Sequence, residues 1–455
     1  MATRKQSLFA NAMRNSRVAL ASYQYGWPID KERQRRIASE IDEELEIADA
    51  SLQSLVPDAV QPFNPDSPKQ VSHLLYDILE LSPPHKTKTG APATDKAALT
   101  IIAQSGIEPA ASIAAALKAR KVLVKLRQSY IDNLADVDII RPQAHVTAQL
   151  SGRWSYRAPA LQTTPARIKP MFVAHPGCYL VACDLSQAEL RNMAQLSGCR
   201  EMLDAYTAGD DIHARTAMAA FGCSKEEGKE KRFRAPAKVI ILGYHYSVLD
   251  DQAAAGGLHA QLISKWPDVT VEKVLGIIRR MRAARPEVRA HKERSWHKAQ
   301  TQDYVDEPLT GRRRKFWGRP KDTDAFNFPC QAMTAAIVDR AIQGVDSEFA
   351  EREGLLLQRH DEIIIGGPDL YRLLSMSYRH MRQRHEVRGN AMVYEVELEV
   401  GNRWGEGMAT IEPHPSPKIL DVDEVKCAVT LGSEKVELTG LRSVAEWISA
   451  RIPPA

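Results

Sequence analysis

The run LLLQRHDEIIIGG, residues 355 to 367, most narrowly constrains what this chain can fold into: two apolar stretches of strand length are separated only by polar and charged residues. Such a pattern folds as a β-hairpin with its acids at the reversal. A second run, CYLVACDLSQAELRNMAQLSG at residues 178 to 198, delivers Asp184 at the end of an apolar strand before a helical period takes over near Gln187. Asp184 and Asp361 therefore lie at neighbouring strand ends, where two carboxylates can share divalent cations. Glu362, next along from Asp361, points to the opposite side of a strand and is read as a supporting or secondary ligand.

Magnesium takes oxygen ligands, keeps several waters and uses one or two carboxylates together with substrate phosphates. In a two-metal site the ions sit roughly 3.5 to 4 Å apart, one activating the attacking oxygen and the other stabilising the leaving one. A third run, KRFRAPAKVIILGYHYSV at residues 231 to 248, supplies what such chemistry would act upon. Arg234, Lys238, Leu242 and Tyr246 recur every four residues, so they share one helical face. The two cations suit a triphosphate, arginine as a fork and lysine as a point charge, and the apolar and aromatic residues beyond them can meet a base. Pro236 implies that the helix either begins near Ala235 or is bent there. Taken singly, each piece also has an ordinary reading: a cap, a solvated turn, an exposed helix face. Their order along the chain favours one shared site.

With these residues in that order, the chain resembles the family A DNA polymerases, from about Gly26 to Gly407. CDLSQAELR looks like the family's first palm motif, RAPAKVIILGYHYS like its fingers-helix motif, and LLLQRHDEIII like its second palm carboxylate motif. SGRWSYRAPALQTTPAR at 151 to 167, GDDIHARTA at 209 to 217, GRRRKF at 311 to 316 and NFPCQAMTAA at 327 to 336 match further family segments in order. The resemblance implies an α/β right-hand fold with thumb, palm and fingers, and template-directed DNA synthesis from deoxynucleoside triphosphates. It implies Asp184 and Asp361 as metal-holding catalytic residues, with two Mg2+ ions or Mn2+ in their place. Lys238, also catalytic, joins Arg234 and His213 on the triphosphate, while Gln187 and Glu189 lie beside the sugar. Glu189 with Tyr246 would exclude a 2′-hydroxyl. Arg153, Gln162, Asn327, Gln331 and His360 match positions near the primer terminus, template strand or minor groove, where shared acceptors allow pair geometry to be checked.

Three departures from the family pattern bear on nucleotide handling. Leu242 stands where an aromatic residue is usual, as in phage-type members, and points to phage DNA replication. Ser247 follows Tyr246 in place of a common glycine, and Thr163 replaces a common asparagine. These affect fine geometry rather than the reaction.

The resemblance also divides the chain. Residues 1–20 are expected as a frayed tail and 21–138 as a helical thumb, carrying GWPID, NPDSPKQ and KTKTG with lysines for phosphate contacts. Palm follows at 139–198, fingers at 199–319 and the rest of the palm at 320–411. A linker at 412–417 leads to a strand, strand, helix appendage at 418–455, read as a docking or stabilising element. Too few residues precede the thumb for an exonuclease domain, so proofreading by this chain is not expected.

At 455 residues the chain exceeds one ordinary core, which favours two or three subdomains. Its net charge of +4 is mild, but KEKRFR and GRRRKF make locally basic surfaces suited to primer-template DNA. Six cysteines without zinc-like or disulfide-framework spacing favour a reducing compartment. No segment is apolar enough to span a membrane, and the N-terminus lacks a secretory core, so a cytoplasmic location is expected, with organelle targeting by the basic N-terminus as a weak amphipathic transit peptide left open as the alternative, and with other replication proteins as further partners. Two other readings stay open: a weakly catalytic DNA-binding replication factor, opposed by retention of both aspartates and both cations, and a single-subunit RNA polymerase, opposed by Glu189 in SQAELR.

Overall fold

The computed structural model describes residues 8–263, 266, 268–416 and 421–455. The chain forms two compact units, one of residues through Pro28, Arg141–Thr164 and Phe172–Ala455, the other of Ile29–Ile140 and Pro165–Met171. The smaller unit is helical. Its helices Lys31–Leu55, Lys96–Ala103 and Ala110–Leu126 bury Leu52, Leu99, Ile113 and Leu117 in a common apolar cluster. Arg120 binds Asp66 through both guanidinium nitrogens, at 2.6 and 2.9 Å, tying the connector to the last of these helices.

The larger unit begins with α1, Leu8–Tyr25. The expectation of a frayed tail over 1–20 is therefore corrected for the described residues. Asn11 donates to buried Asp339 at 2.8 Å, and Gln343 donates to Asn11 and Asn15 at 2.8 and 2.7 Å. The helix is held by polar contacts that a search for apolar periodicity does not register. Residues 1–7 of the expected tail lie outside the described residues. The thumb boundary also moves: Trp27 of GWPID stacks with Phe172 and Trp404, centroids 5.0 and 5.1 Å away, and so belongs to the larger unit.

In chain order the elements that matter to the site are strand β1, Tyr179–Leu185, and helices α2, Ala188–Ser197, α3, Ile212–Phe221, and α4, Lys231–Tyr246. Helix α5, Pro286–Gln302, leads through a small hairpin, β2, Tyr304–Asp306, and β3, Arg313–Lys315, into the long α6, Asp322–Glu348. Then come β4, Gly354–Arg359, β5, Glu362–Gly367, α7, Leu370–Met381, β6, Val396–Gly401, and β7, Ala409–Pro413. Strands β8, Lys426–Leu431, and β9, Glu434–Thr439, precede α8, Leu441–Ser449.

One antiparallel sheet of seven strands runs in the order β9-β8-β7-β6-β1-β5-β4. Thus β1 pairs with β5 and β6 across a long, mainly helical insertion. Leu180, Val181 and Cys183 of β1 and Ile363, Ile364 and Ile365 of β5 are fully buried, which explains their unbroken apolar runs: both faces of the central strands are covered. The expected strand, strand, helix at the C-terminus is present, but it is part of this sheet rather than set apart by a linker. Strand β7 runs through Glu412 and Pro413 and pairs directly with β8. Residue 417 of the expected linker and 418–420 of the expected appendage lie outside the described residues.

Candidate active site

Arg359 pairs with Glu362 in the β4–β5 ladder, leaving His360 and Asp361 as a two-residue turn. His360 takes φ +56°, the left-handed conformation that tight hairpin turns require. The turn is pinned sideways, because the Leu185 N–H donates to the Asp361 carbonyl at 3.1 Å. This bond draws the hairpin tip against the end of β1, next to Asp184.

Asp184 is flanked in the ladder by Glu362 on β5 and Glu397 on β6. Directly opposed residues project from the same face of a sheet. The assignment of Glu362 to the opposite side is thus corrected: Asp361 lies in the turn rather than in the strand, and Glu362 shares the face of Asp184. Desolvation, followed by repulsion from Asp361, Glu362 and Glu397, pushes Asp184 up to about 8. Desolvation also raises Asp361. Crowded carboxylates driven towards protonation are a donor set that a divalent cation relieves. Among the described residues no three or more His, Cys, Asp or Glu form a metal cage by themselves. A magnesium site completed by water and phosphate needs no such cage.

Helix α4 starts at Lys231, one turn earlier than Pro236 suggests, and carries the proline inside. At Gly243 a Cβ would stand 2.5 Å from a side-chain methyl of Leu258 on the neighbouring helix, Asp251–Leu262, so a larger residue there would displace that side chain. Arg234 binds Asp211 at 2.6 Å, and Asp211 also caps α3 by accepting from the His213 N–H at 2.9 Å. Burial opposes ionisation of Asp211, but the Arg234 bond and charge outweigh it and hold the carboxyl below its usual range. His213 is buried and lowered to about 4, chiefly by desolvation, with Arg234 and Lys238 reinforcing it against Asp211. Lys238 is exposed. Glu397 is raised by desolvation and by Glu412, while Lys238 and Arg234 draw it down, so the helix cations face the carboxylate row. A cleft of about 500 Å³ lies here, lined among others by Gln187, Asp211, Arg234, Glu397 and Lys435.

At the other end of α4 the Tyr246 hydroxyl donates to Glu189, whose second oxygen accepts from Arg153. Cys330 of α6 donates to the Glu189 carbonyl at 3.1 Å. Lys292 of α5, buried, donates to the carbonyls of Tyr244 and Ser247 at 3.0 and 2.7 Å, closing the C-terminus of α4, while desolvation lowers its ammonium to about 7.

Most expected site residues converge. Gln187 takes φ +57° at the start of α2 and accepts from the Tyr206 hydroxyl at 3.1 Å. Gln162 donates to the Trp154 carbonyl at 2.8 Å and accepts from Arg359 at 3.0 Å, beside the hairpin. Asn327 and Gln331 stand one turn apart on α6, and the Asn327 side-chain oxygen has no hydrogen-bond partner among the described residues. Leu242 is half-buried on α4 between Lys238 and Tyr246. Sequence reading missed Glu397, Asp211 and Lys292. Only Glu397 carried a signal, the alternation VELEV that marks a half-exposed strand.

The profile of DNA polymerase family A matches residues 31–406. The chain is 31% identical over 394 residues to the thermostable DNA polymerase I of Thermus aquaticus, covering 81% of this chain and 45% of that protein. It is 31% identical over 373 residues to DNA polymerase I of Pseudomonas aeruginosa, covering 76% and 39%. The chain thus spans less than half the length of these relatives. The POL domain of Pol1 from M. smegmatis, solved in complex with DNA primer-template and dNTP, superposes with a TM-score of 0.73 at 25% identity, covering 86% of this chain and 70% of that one. Among the described residues no helix is long and apolar enough to cross a membrane.

Proposed function

The chain belongs to DNA polymerase family A and has its right-hand fold, and from that premise we propose that it extends a primer 3′-hydroxyl with deoxynucleotides copied from a template strand, releasing pyrophosphate. The observation that carries this reading is the junction of Asp184 with the pinned turn at Asp361, faced by the cations of α4. Asp184 and Asp361, with Glu362 in support, would hold two magnesium ions, or manganese in their place, and such ions would supply the Lewis acidity that activation of the primer hydroxyl and departure of the leaving oxygen need.

The protein's own groups do the rest. Arg234 exchanges Asp211 for phosphate oxygens, and Lys238 offsets charge on the departing pyrophosphate. Buried His213, neutral near pH 7, would donate a hydrogen bond to phosphate rather than a charge. Glu189, clamped between Tyr246 and Arg153, fills the space a 2′-hydroxyl would need, which favours deoxynucleotides over the RNA polymerase reading. Gln187 lies beside the sugar, and Leu242 packs on the base with less area than an aromatic ring. Arg153, Gln162, Asn327, Gln331 and His360 contact the primer-template. Residues 29–140 serve as thumb, the sheet as palm and the helices inserted after β1 as fingers. Leu242 supports a place in phage DNA replication.

Primer extension with magnesium tests the proposal. Wild-type protein should extend a primed template, and Asp184→Ala or Asp361→Ala should reduce the rate by at least a thousandfold. Full extension by either variant would overturn it.

A further inference from the structure

The segment Arg313–Lys321, RRKFWGRPK, holds five cations and no acid. Arg314 is paired with Asp324 at 2.7 Å. Among the described residues Arg313, Lys315, Arg319 and Lys321 have no carboxylate partner, so their charge is available to an outside ligand. Neighbouring aromatic residues take opposite roles. Phe316 packs against the cluster of Ala299, Val305, Ala325 and Phe328, and its N–H donates to the Asp303 carbonyl at 2.9 Å. Trp317, beside it, is 92% exposed. The chain is thus anchored at the preceding residue while the Trp317 indole stands in water, an expensive placement for a large apolar ring. The Lys315 ammonium lies 5.9 Å from its centroid. Tyr304 across the hairpin is flanked by Lys298 and Arg313, at 4.7 and 4.5 Å from its ring.

The position of this segment in the fold gives the pairing of ring and charge a direction. It runs into α6 at Asp322, whose side chain accepts from the Leu249 N–H at 2.7 Å, just beyond α4. Lys292, which caps α4, lies 4.4 Å from the Phe326 ring in the first turns of α6. The basic loop is therefore fastened to the Tyr246 end of α4. Arg234 stands twelve residues earlier, about 18 Å along a helix. A nucleotide gripped at Arg234 and Lys238 points its base towards Tyr246, so the unpaired template arrives at that end.

We propose that Trp317 is a stacking platform for an unpaired base of the template 5′ overhang, with Arg313, Lys315, Arg319 and Lys321 taking the adjoining phosphates. A positive track that follows the backbone, with an aromatic face for the base, is how single strands are bound without regard to sequence. This inference rests on the polymerase reading of α4 and adds the path of the single strand.

The test measures Kd for a primer-template with a six-nucleotide 5′ overhang and for the same duplex made blunt. Wild-type protein, Trp317→Ala, Trp317→Phe and the double variant Arg319→Ala/Lys321→Ala are compared at fixed salt. Trp317→Ala should weaken overhang binding about tenfold, the worth of one stacked base, and leave blunt-duplex binding within about twofold. Trp317→Phe should keep most of the affinity, and the double variant should flatten the salt dependence for the overhang substrate alone. A 2-aminopurine at the first unpaired template position should be quenched by wild type and not by Trp317→Ala. Unchanged overhang binding by Trp317→Ala, or equal losses on both substrates, would overturn the inference while magnesium-dependent extension by wild type left the polymerase reading standing. No extension by wild type would instead strike that reading. Because Trp317 is solvent-exposed, its replacement leaves the core intact, and an unchanged circular dichroism melt verifies this.

Discussion

Glu397 stands directly across the antiparallel ladder from Asp184, on the sheet face that also carries Glu362. Like charges directly opposed in a ladder destabilise it, so this row opposes folding unless a proton or a cation neutralises it. Glu397 reaches solvent, and its effect at Asp184 is screened. Glu397→Gln should therefore raise the magnesium concentration needed for half-maximal extension by a modest factor, about threefold, with the rate at saturating magnesium nearly unchanged. A magnesium titration of primer extension checks this, and an unchanged midpoint would remove Glu397 from the site.

Glu189 accepts from both Tyr246 and Arg153, which ranks two substitutions. Tyr246→Phe removes one donor and leaves the carboxylate held by Arg153. Glu189→Ala removes the group that would meet a 2′-hydroxyl. Glu189→Ala should accordingly relax discrimination against ribonucleotides more than Tyr246→Phe, read as the ratio of kcat/KM for a deoxynucleotide to that for its ribonucleotide. The reverse ranking would mean that the tyrosine ring itself is the barrier.

What the sequence made legible was local. Asp184 at a strand end, the acids of the 360–362 reversal and the fourfold spacing from Arg234 to Tyr246 follow from short-range periods that survive into the fold. Lost to sequence reading were features built from distant partners. Helix α1 is fixed by Asn11 and Asn15 to residues more than 300 positions away, with polar atoms that look solvated in a linear pattern. Trp27 sits against Trp404, so the unit boundary falls inside a motif that reads as continuous with the following helix. The role of Asp211 appears only when α3 is laid against α4. The start of α4 at Lys231 shows that a helix can accommodate Pro236 when packing on α3 and the 251–262 helix supplies the stability.

Several buried histidines set a pH response. His213 and His385 are lowered to about 4 and His291 to about 3, each mainly by desolvation. Arg388, Arg294 and Lys292 add to the effect at His291. A folded pKa below the unfolded value of about 6.5 means the unfolded chain takes up protons first, so stability is full above pH 6.5 and falls as pH drops towards 4. Asp339, raised to about 6 by burial, works in the opposite sense, losing stability as pH rises from about 4 to 6. Asp184, Asp361 and Glu397, also raised, act in the same sense as Asp339, so the decline caused by one histidine between pH 6.5 and 4.5 is read as the difference in urea midpoint between wild type and a variant of that histidine. Both ring nitrogens of His291 lack partners among the described residues, so His291→Leu should flatten that decline by about one proton. An unchanged slope would mean that His291 is protonated in the folded state.

Lys292 closes α4, and its loss has a defined cost. Lys292→Met keeps much of the buried stem and removes both hydrogen bonds to the Tyr244 and Ser247 carbonyls. Burial lowers the Lys292 ammonium to about 7, so below that pH its charged hydrogen bonds contribute roughly 1.5 to 3 kcal/mol each, less the cost of burying the ammonium, and a net loss of about 1 to 3 kcal/mol is expected there. Chemical denaturation measures it. A gain in stability would show that desolvation of Lys292 outweighs its bonds.

Asp211 joins two tasks that one substitution separates. Its carboxylate caps α3 through the His213 N–H and neutralises Arg234. Asparagine caps a helix about as well as aspartate but carries no charge. Asp211→Asn should therefore keep the thermal stability within about 1 kcal/mol while freeing Arg234 from a competitor of the triphosphate. The nucleotide KM is then expected to fall severalfold with kcat little changed. Asp211→Ala should free Arg234 equally but lose about 1 kcal/mol through the missing cap. If KM rises in both variants, Asp211 orients Arg234 for the phosphates rather than competing with them, and steady-state kinetics on the pair of variants separates the two.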